Sequence, residues 1–374
     1  MANIYLDYAA TSRKHFDIIE KNLDILKEIY ANPSSGHTLG KKNEKLFREA
    51  REKIAKSICA KPEEIIFTSG GTESNNTVFN HVLNRFAGGE IIISSIEHPS
   101  VKSSAKHLEK YGFIVHELSV DKTGIIDLEE LRQKINDKTV LVSIMLANNE
   151  TGMINPLKEI SEIIKNKNIL LHSDIVQAFG KVEIDVSDLN LDFASVSAHK
   201  IGALNNFGFL YAKNGEIEPF ILGGGQERGL RSGTSDLLGT LVLADCVDET
   251  LESISKLREL KNYFLDKLEE NQVEFEINGL KDNSLPNIMN IYFKKIESQR
   301  LITYLDSLNI YISGGSACSS GNIKGSRIIT EMYDIERASH SVRISIGFDI
   351  TKKDLNFVID KIVRLENRLK ERDN

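Results

Sequence analysis

The stretch EIIFTSGGTESNNTVFNHVLNRFAGGEIIIS, residues 64–94, has two short apolar runs on either side of a helical pattern. The runs EIIFT (64–68) and EIIIS (90–94) are rich in isoleucine and lie next to glycines, which predicts two buried strands. The segment between them, residues 72–86, is long enough to form a crossover helix. A strand, a helix and a second strand in this order predict one unit of an α/β fold with a mostly parallel sheet.

The same alternation continues beyond this stretch. Five further apolar runs predict strands at residues 114–120, 140–147, 169–173, 193–197 and 207–212. Helical patterns lie between several of them, as at residues 100–112 and 155–167, the last with Pro156 in its first turn. The sequence therefore predicts an α/β fold built on a large, mostly parallel, seven-stranded sheet.

A long helical pattern from Ser235 to about Asn271 follows the glycine- and arginine-rich segment 223–234 and predicts the connection to a second domain. The remaining runs, at 287–293, 309–314 and 341–347 with a closing helix from 351, are typical of a smaller α+β unit. We expect a large domain over residues 12–250, and a small domain over 1–11 and 251–374 that carries a loop at about 314–326.

Composition excludes several classes of protein. The 374 residues carry a formal net charge of -7, and the charges of both signs are interspersed, so there is no basic stripe for a direct nucleic-acid ligand. The N-terminal residues MANIYLDYAATSRK lack the pattern of a secretory signal, and no apolar run has the length of a membrane helix. We expect a protein of the cytoplasm.

Three cysteines without CxxC spacing argue against a disulfide framework and against a zinc site, so we expect no metal. Cys59 and Cys246 lie in apolar helical patterns, which predicts two inert core thiols. Cys318 differs, because the segment GGSACSSGN (314–322) around it consists of loop-forming residues.

Several predicted strands end in polar residues, and ligands of open parallel sheets bind at such ends. After the strand at 64–68, glycines and Thr72 open a helix that predicts either a phosphate site or an ordinary capped helix. Asp174 ends another strand with Gln177 three residues later, and in isolation such an aspartate is more typical of a helix cap. Ser197 ends the strand at 193–197, and His199 and Lys200 follow it; if that strand continues, Ser197 and His199 share a face.

Taken together, these groups are the parts of a pyridoxal 5'-phosphate site. That cofactor requires a lysine, an acid beside its ring nitrogen and donors for its phosphate. His98, in SSIEHPSV, follows the next strand and could lie against the ring, or be a neutral structural histidine.

Ten segments resemble, in order, those of the class V aminotransferase superfamily of fold type I enzymes, and within it the cysteine desulfurases of the NifS/IscS type. They are YLDYAAT, NPSSGH, FTSGGTESNN, EHPS, ANNETG, HSDIVQAFGK, SVSAHKIGA, GGGQERGLRSGT, GGSACSS and SHSVRISIG. The resemblance implies Lys200 as the Schiff-base lysine, Asp174 as the partner of the pyridine nitrogen, and Gln177 as the contact to the ring hydroxyl. It further implies His98 as the stacking residue and proton carrier, with a phosphate site at Gly71, Thr72, Ser197 and His199.

Four more residues receive roles from the same resemblance. Thr234 is similar to a phosphate contact supplied by the other subunit, which implies a homodimer. Asn149 is similar to a residue beside cofactor and substrate, and Arg343 to the clamp of the substrate carboxylate, a task that suits its planar fork. Cys318 is similar to the catalytic thiol on a mobile loop, to which Gly314, Gly315 and Gly321 would give freedom of movement.

The implied reaction removes sulfur from L-cysteine and gives L-alanine and a Cys318 persulfide. Relatives that load an iron-sulfur scaffold extend beyond the RLKERDN with which this sequence ends, so the acceptor stays open between such a scaffold and a tRNA-thiolation enzyme. A selenocysteine lyase or an aminotransferase would use the same Lys200 and Asp174, and Cys318 disfavours the aminotransferase. A non-catalytic partner subunit is disfavoured by the presence of all the reactive groups.

Overall fold

The computed structural model describes residues 3–315 and 325–373. Cys318 and Gly321 lie outside the described residues. The strands are β1 (Ile4–Tyr5), β2 (Ile65–Thr68), β3 (Gly89–Ser94), β4 (Phe113–Leu118), β5 (Thr139–Ser143), β6 (Leu170–Asp174), β7 (Phe193–Ser197), β8 (Gly208–Ala212), β9 (Phe275–Ile277), β10 (Ile288–Phe293), β11 (Ile310–Tyr311) and β12 (Ser341–Ser345). The helices are α1 (Phe16–Glu28), α2 (Thr38–Lys56), α3 (Gly71–Arg85), α4 (Pro99–Leu108), α5 (Leu128–Lys134), α6 (Leu157–Ile164), α7 (Leu237–Glu270), α8 (Ser298–Asp306), α9 (Arg327–Met332), α10 (Ile335–Ser339) and α11 (Lys352–Asp373).

The large sheet has seven strands in the order β2-β8-β7-β6-β5-β3-β4. Parallel pairing runs from β4 through β3, β5 and β6 to β7, whereas β8 is antiparallel to both β7 and β2. The predicted seven-stranded, mostly parallel α/β architecture is confirmed. Because β8 alone is reversed, the carboxyl ends of β2, β3, β5, β6 and β7 meet at one edge.

Both faces of this sheet are buried, as a doubly wound sheet requires. In β3, Ile92 belongs to one hydrophobic cluster while its neighbours Ile91 and Ile93 belong to another. Leu141 and Val142 of β5 divide in the same way. Alternate side chains of a strand point to opposite faces, so these continuous isoleucine and valine runs fill a core on each side of the sheet.

A second, smaller assembly contains the three-stranded antiparallel sheet β12-β10-β9 and the parallel pair β1-β11. Its side chains form a hydrophobic cluster of their own. The 34-residue helix α7 joins the two assemblies, because Leu243 packs in a large-sheet cluster and Phe264 packs in the smaller one. We propose a domain division within α7, near residue 250, since the helix changes its core partners there.

Two local predictions from the sequence are wrong, for Cys59 and Pro156, and the condition for a shared face of Ser197 and His199 is not met. The strand ending at Ser197 does not continue, because residues 198–201 form a 3-10 turn that Gly202 ends in the left-handed region, so Ser197 and His199 do not share a strand face. Cys59 is exposed, with φ 57° in the turn after α2, and so is not a core thiol, whereas Cys246 is buried in α7. Pro156 precedes α6 as its N-cap residue.

Within residues 3–315 and 325–373, no helix combines the length and the apolar character needed to cross a membrane.

Candidate active site

A cavity of about 690 Å³ opens at the edge where the parallel strands end. Segments following β2, β3, β5, β6 and β7 form much of its wall, and the N-terminal segment, α9 and β12 contribute further residues. Ten of the residues singled out in the sequence line this one cavity: Gly71, Thr72, His98, Asn149, Asp174, Gln177, Ser197, His199, Lys200 and Arg343. Residues from six distant parts of the sequence therefore meet at one place.

Lys200 lies on the 3-10 turn that follows β7. Its Nζ donates to the backbone carbonyl oxygens of Ala9 at 2.6 Å and Ala10 at 2.8 Å. Gly202 makes the close approach of the N-terminal segment possible, because a Cβ at this position would lie 2.8 Å from the Arg13 carbonyl oxygen and 2.5 Å from His15 Cδ2. The turn thus holds the lysine amine between the sheet edge and the N-terminal segment.

Asp174 ends β6 and is 6% exposed. Its Oδ2 accepts a hydrogen bond from Asn75 Nδ2 at 2.9 Å, and its Oδ1 accepts from the backbone N–H of Val176 at 3.0 Å. Asn75 also donates to Ser100 Oγ at 2.8 Å. These donors fix the orientation of the carboxylate at the cavity wall.

His98 is the N-cap residue of α4. Its Nδ1 accepts from the backbone N–H of Ser100 at 3.2 Å, which places the proton of the neutral ring on Nε2. Burial lowers the pKa of His98 below its ordinary value, while the Asp174 carboxylate opposes that shift and the Lys200 charge adds to it. A neutral imidazole beside a lysine and a carboxylate can accept a proton.

The N-terminus of α3 offers a cradle for an anion. The helix begins at Gly71 after Gly70, and no side chain caps it. A Cβ on Gly71 would lie 2.8 Å from Val176 Cγ2, and one on Gly70 would lie 3.2 Å from Ser197 Oγ, so only glycine lets this backbone pack so closely. Backbone N–H groups in the first turn of a helix lack helical acceptors and attract anions. The structure thus has the geometry of a phosphate site here, with Thr72 exposed beside it.

His199 completes this side of the cavity. Its Nδ1 lies 3.0 Å from Thr11 Oγ1. Burial first, and then the charges of Lys200, Lys14 and Lys181, lower the pKa of His199 to about 3. The ring is therefore neutral at physiological pH and acts as a hydrogen-bonding group.

Arg343, on β12, is 1% exposed and reaches the cavity from the smaller assembly. Its Nη1 donates to the Asn149 carbonyl oxygen at 2.8 Å, and its Nη2 donates to Asp7 Oδ1 at 2.6 Å. Its Nε is buried and has no hydrogen-bond partner within the described ranges 3–315 and 325–373. The guanidinium is oriented by two acceptors, and its Nε keeps an unused donor.

One predicted residue is not part of this arrangement, and another lies outside the described residues. Thr234 is exposed and does not line the cavity of a single chain. Cys318 lies outside the described residues, but the chain on both sides of its segment is at the cavity rim. Ser326 Oγ donates to Glu150 Oε2, a Cβ on Gly315 would lie 3.1 Å from the same oxygen, and Glu150 itself lines the cavity.

The sequence interpretation missed residues that support the predicted ones. Asn75 belongs to the segment FTSGGTESNN, and Asp7 belongs to the segment YLDYAAT. Their hydrogen-bond partners, Asp174 and Arg343, are far away in the chain. Glu97, next to His98, is 1% exposed and lines the cavity. Its Oε1 accepts from Ser94 Oγ at 2.6 Å and from the Met145 N–H at 2.7 Å, and burial raises the pKa of its carboxyl to about 8.

The doubly wound sheet, with a lysine, a carboxylate and an anion-binding helix N-terminus at its carboxyl edge, defines an α/β enzyme of the fold type I class. The profile described as aminotransferase class-V matches residues 4–358. The chain belongs to this family, and it is similar to cysteine desulfurases of the IscS and NifS type.

The cysteine desulfurase IscS of Dictyoglomus turgidum is 39% identical over 375 residues, which cover 98% of this chain and 95% of that relative. A solved NifS-like protein has a TM-score of 0.89 at 33% identity and covers 98% of this chain and 100% of its own. The structure described as SspA in complex with cysteine has a TM-score of 0.82 at 32% identity over 92% of this chain and 98% of its own. The predicted resemblance to this family is confirmed.

Proposed function

We propose that this enzyme is a cysteine desulfurase that uses pyridoxal 5'-phosphate to convert L-cysteine into L-alanine, with the sulfur transferred to Cys318 as a persulfide. The observation that carries the proposal is that Lys200, Asp174 and the α3 N-terminus line one cavity. Glu150 at its rim contacts Ser326, which follows the Cys318 segment in the sequence. The relatives named IscS support the substrate.

The residues present fit this cofactor. The Gly70-Gly71 backbone, in a turn too tight for a Cβ at Gly71, and Ser197 would hold its phosphate. Asp174 would accept a hydrogen bond from its ring nitrogen, and Lys200 would bind its aldehyde. When bound, the cofactor supplies an electron-withdrawing ring that stabilises negative charge at the substrate carbons.

The substrate carboxylate would bind Arg343, since its buried Nε and the fork of the guanidinium suit two carboxylate oxygens. Asn149, whose carbonyl accepts from Arg343, would lie beside the bound substrate. The clamp would hold the substrate in the cavity that Lys200 and His98 also line.

Lys200 and His98 would move the protons. A neutral Lys200 amine can accept the α-proton, and the neutral His98 ring can accept a second proton at Nδ1, which would replace the hydrogen bond from the Ser100 N–H. In the balanced reaction the carbon–sulfur bond of cysteine breaks and the sulfur–sulfur bond of the persulfide forms. The β-carbon keeps the electron pair of the broken bond and takes up a proton to become the methyl group of alanine.

Cys318 follows Gly315 by three residues, and an extended chain spans about 3.5 Å per residue, so the thiol can reach about 10 Å from this point. Gly315 lies against Glu150 at the cavity rim. Chain length alone therefore allows the thiol of Cys318 to reach a substrate sulfur in the cavity and attack it. A thiol that receives sulfur must also pass it to an acceptor outside the cavity.

Thr234 supports a homodimeric form of this proposal. It is exposed and lies on the segment before α7, so it is available to complete the phosphate site of a second copy. We further propose that the enzyme acts in the cytoplasm and passes its sulfur to a protein thiol, for iron-sulfur cluster assembly or for tRNA thiolation.

The test compares wild type, Cys318→Ser and Lys200→Ala in the presence of L-cysteine and a reductant, with alanine and sulfide both measured. We expect equal amounts of the two products from wild type and almost none from either variant. Cys59→Ser is the matched control, because it removes an exposed thiol outside the cavity and should leave both products unchanged. Equal output from wild type and Cys318→Ser would refute the role of the thiol, and a keto acid in place of alanine would indicate an aminotransferase.

A further inference from the structure

The first turn of α3, which forms the anion cradle, contains an acidic residue. Glu73 follows Thr72 and lines the large cavity, and its side chain is 8% exposed. An uncompensated carboxylate at this position would repel an arriving phosphate, because like charges oppose each other strongly where little water screens them. A phosphate site at this turn therefore requires a partner for the charge of Glu73.

Arg231 is this partner. Its Nε donates to Glu73 Oε1 at 2.9 Å and its Nη2 donates to Glu73 Oε2 at 3.1 Å, which is a bidentate pairing between residues 158 positions apart in the sequence. Burial opposes ionisation of Glu73, but the hydrogen bonds from Arg231 and Ser69 and the charge of Arg231 outweigh it and hold the pKa of this carboxyl below its ordinary value. Glu73 is therefore ionised at physiological pH, and its charge is compensated.

The same carboxylate holds the turn between β2 and α3. Glu73 Oε2 also accepts from the backbone N–H of Ser69 at 2.8 Å, so the side chain reaches back past Gly70 and Gly71. The N–H of Ser69 lies before the helix, so this hydrogen bond does not occupy the N–H groups of the first turn that would bind an anion. Arg231 binds both oxygens of the carboxylate and so keeps it in this position.

The segment that carries Arg231 has anchors of its own. The backbone N–H of Gly233 donates to Gln226 Oε1 at 2.9 Å. Glu227 accepts two hydrogen bonds of 2.7 Å from the guanidinium of Arg51. Arg231 is therefore presented to Glu73 by a backbone that other contacts hold in place, which is what a supporting residue of a binding site needs.

We propose that Arg231 is a positioning residue for the cofactor phosphate: it compensates the charge of Glu73 and holds this carboxylate against Ser69, so that the first turn of α3 accepts a phosphate. The inference deepens the proposed function, since it rests on pyridoxal 5'-phosphate as the cofactor. Because Arg231 acts through Glu73, its effect should disappear when this carboxylate is replaced by an amide.

The experiment uses cofactor-free protein and two probes, pyridoxal 5'-phosphate and pyridoxal, which differ only in the phosphate. Equilibrium dialysis gives the two dissociation constants, and their ratio measures the preference for the phosphorylated probe. Arg231→Gln leaves the charge of Glu73 uncompensated and should lower this preference about tenfold or more, while the affinity for pyridoxal changes little. The double variant Arg231→Gln/Glu73→Gln should restore the preference to within about threefold of wild type.

Arg337→Gln is the matched control. Arg337 is likewise a partly buried arginine, 16% exposed, but it pairs with Glu276 on β9 at 2.7 Å, and neither residue lines the large cavity. Its replacement should leave the preference for the phosphorylated probe unchanged, even if it lowers stability.

The possible results separate the inference from the proposed function. The same preference in wild type and Arg231→Gln overturns the inference and leaves the proposed function in place. A loss that persists in the double variant also overturns it, because Arg231 would then act without Glu73. A wild-type protein that binds neither probe overturns both. If Arg231→Gln does not fold, the double variant decides: a preference within about threefold of wild type supports the inference, and a loss of about tenfold overturns it.

Discussion

The Arg343 guanidinium donates to the Asp7 carboxylate across 2.6 Å, although the two residues are 336 positions apart in the sequence. The bond joins strand β12 of the smaller assembly to the N-terminal segment, whose Ala9 and Ala10 also contact Lys200. Asp7 holds the guanidinium in place through Nη2, while the buried Nε of Arg343 has no hydrogen-bond partner among the described residues. If Arg343 holds the substrate carboxylate, as proposed above, its guanidinium is already oriented before the substrate binds.

Replacing Arg343 with lysine should mainly weaken substrate binding. The variant keeps a positive charge but loses the planar fork, and a hydrogen bond between charged groups contributes about 1.5–3 kcal/mol, so the KM for L-cysteine should rise about tenfold or more. Steady-state kinetics of alanine formation provide the measurement. Arg132→Lys, at an exposed arginine paired with Glu129, should leave KM unchanged. An unchanged KM in Arg343→Lys would exclude the clamp.

Replacing His98 with glutamine should slow turnover by about 100-fold or more, because proton transfer by a positioned side chain typically contributes that much. Burial lowers the pKa of His98, so the neutral, proton-accepting form persists to a pH below 6.5, and the wild-type rate should fall only as the pH decreases further. His98→Gln should lack this acidic limb of the pH–rate profile. The control is His116→Gln, at a surface histidine paired with Glu90. A retained acidic limb in His98→Gln would assign it to another group.

Replacing Gly71 with alanine should weaken cofactor binding about tenfold or more. The new Cβ would lie 2.8 Å from Val176 Cγ2 and force apart the backbone that forms the phosphate cradle. Equilibrium dialysis of pyridoxal 5'-phosphate against the cofactor-free protein measures the effect. Gly36→Ala is a matched control, since nothing lies within 4 Å of its Cβ position. Equal affinities in the two variants would show that the phosphate does not bind at this turn.

Replacing Glu97 with glutamine should remove a pH dependence of stability. Burial raises the pKa of Glu97 to about 8, so between pH 4.3 and pH 8 the folded state holds a proton that the unfolded state has released. Stability then falls as the pH rises through this window and levels off above it. The glutamine variant can still accept from Ser94 and Met145 at its Oε1, and its stability relative to wild type should increase from pH 5 to pH 8.

Urea unfolding of wild type and Glu97→Gln at several pH values measures the difference in their free energies of unfolding. Glu129→Gln, at an exposed glutamate, provides the comparison for a simple loss of surface charge. A constant difference between Glu97→Gln and wild type across the window would mean that Glu97 ionises at its ordinary pH in the folded protein.

Much of the fold follows from patterns that are local in the sequence. Isoleucine-rich runs such as residues 90–94 have no polar face, so they require burial on both sides, and a parallel sheet between helices meets that requirement. Predictions were wrong where the local pattern was incomplete. The polar residues after Ser197 are compatible with a strand, but the left-handed Gly202 and the approach of the N-terminal segment produce a tight turn. Cys59 follows an apolar helix pattern and yet lies in the exposed turn after it.

The sequence by itself determined the α/β alternation, the family and the chemical types present at the strand ends, because these depend on spacing and composition that are visible within short segments. Only the tertiary structure decided which groups act on each other: Asn75 on Asp174, Asp7 on Arg343, and Ala9 as the acceptor that Gln177 and Lys200 share. The physical reason is that hydrogen bonds and charge interactions depend on distances of a few ångströms. Residues far apart in the chain reach such distances only when the sheet brings the carboxyl ends of its strands together.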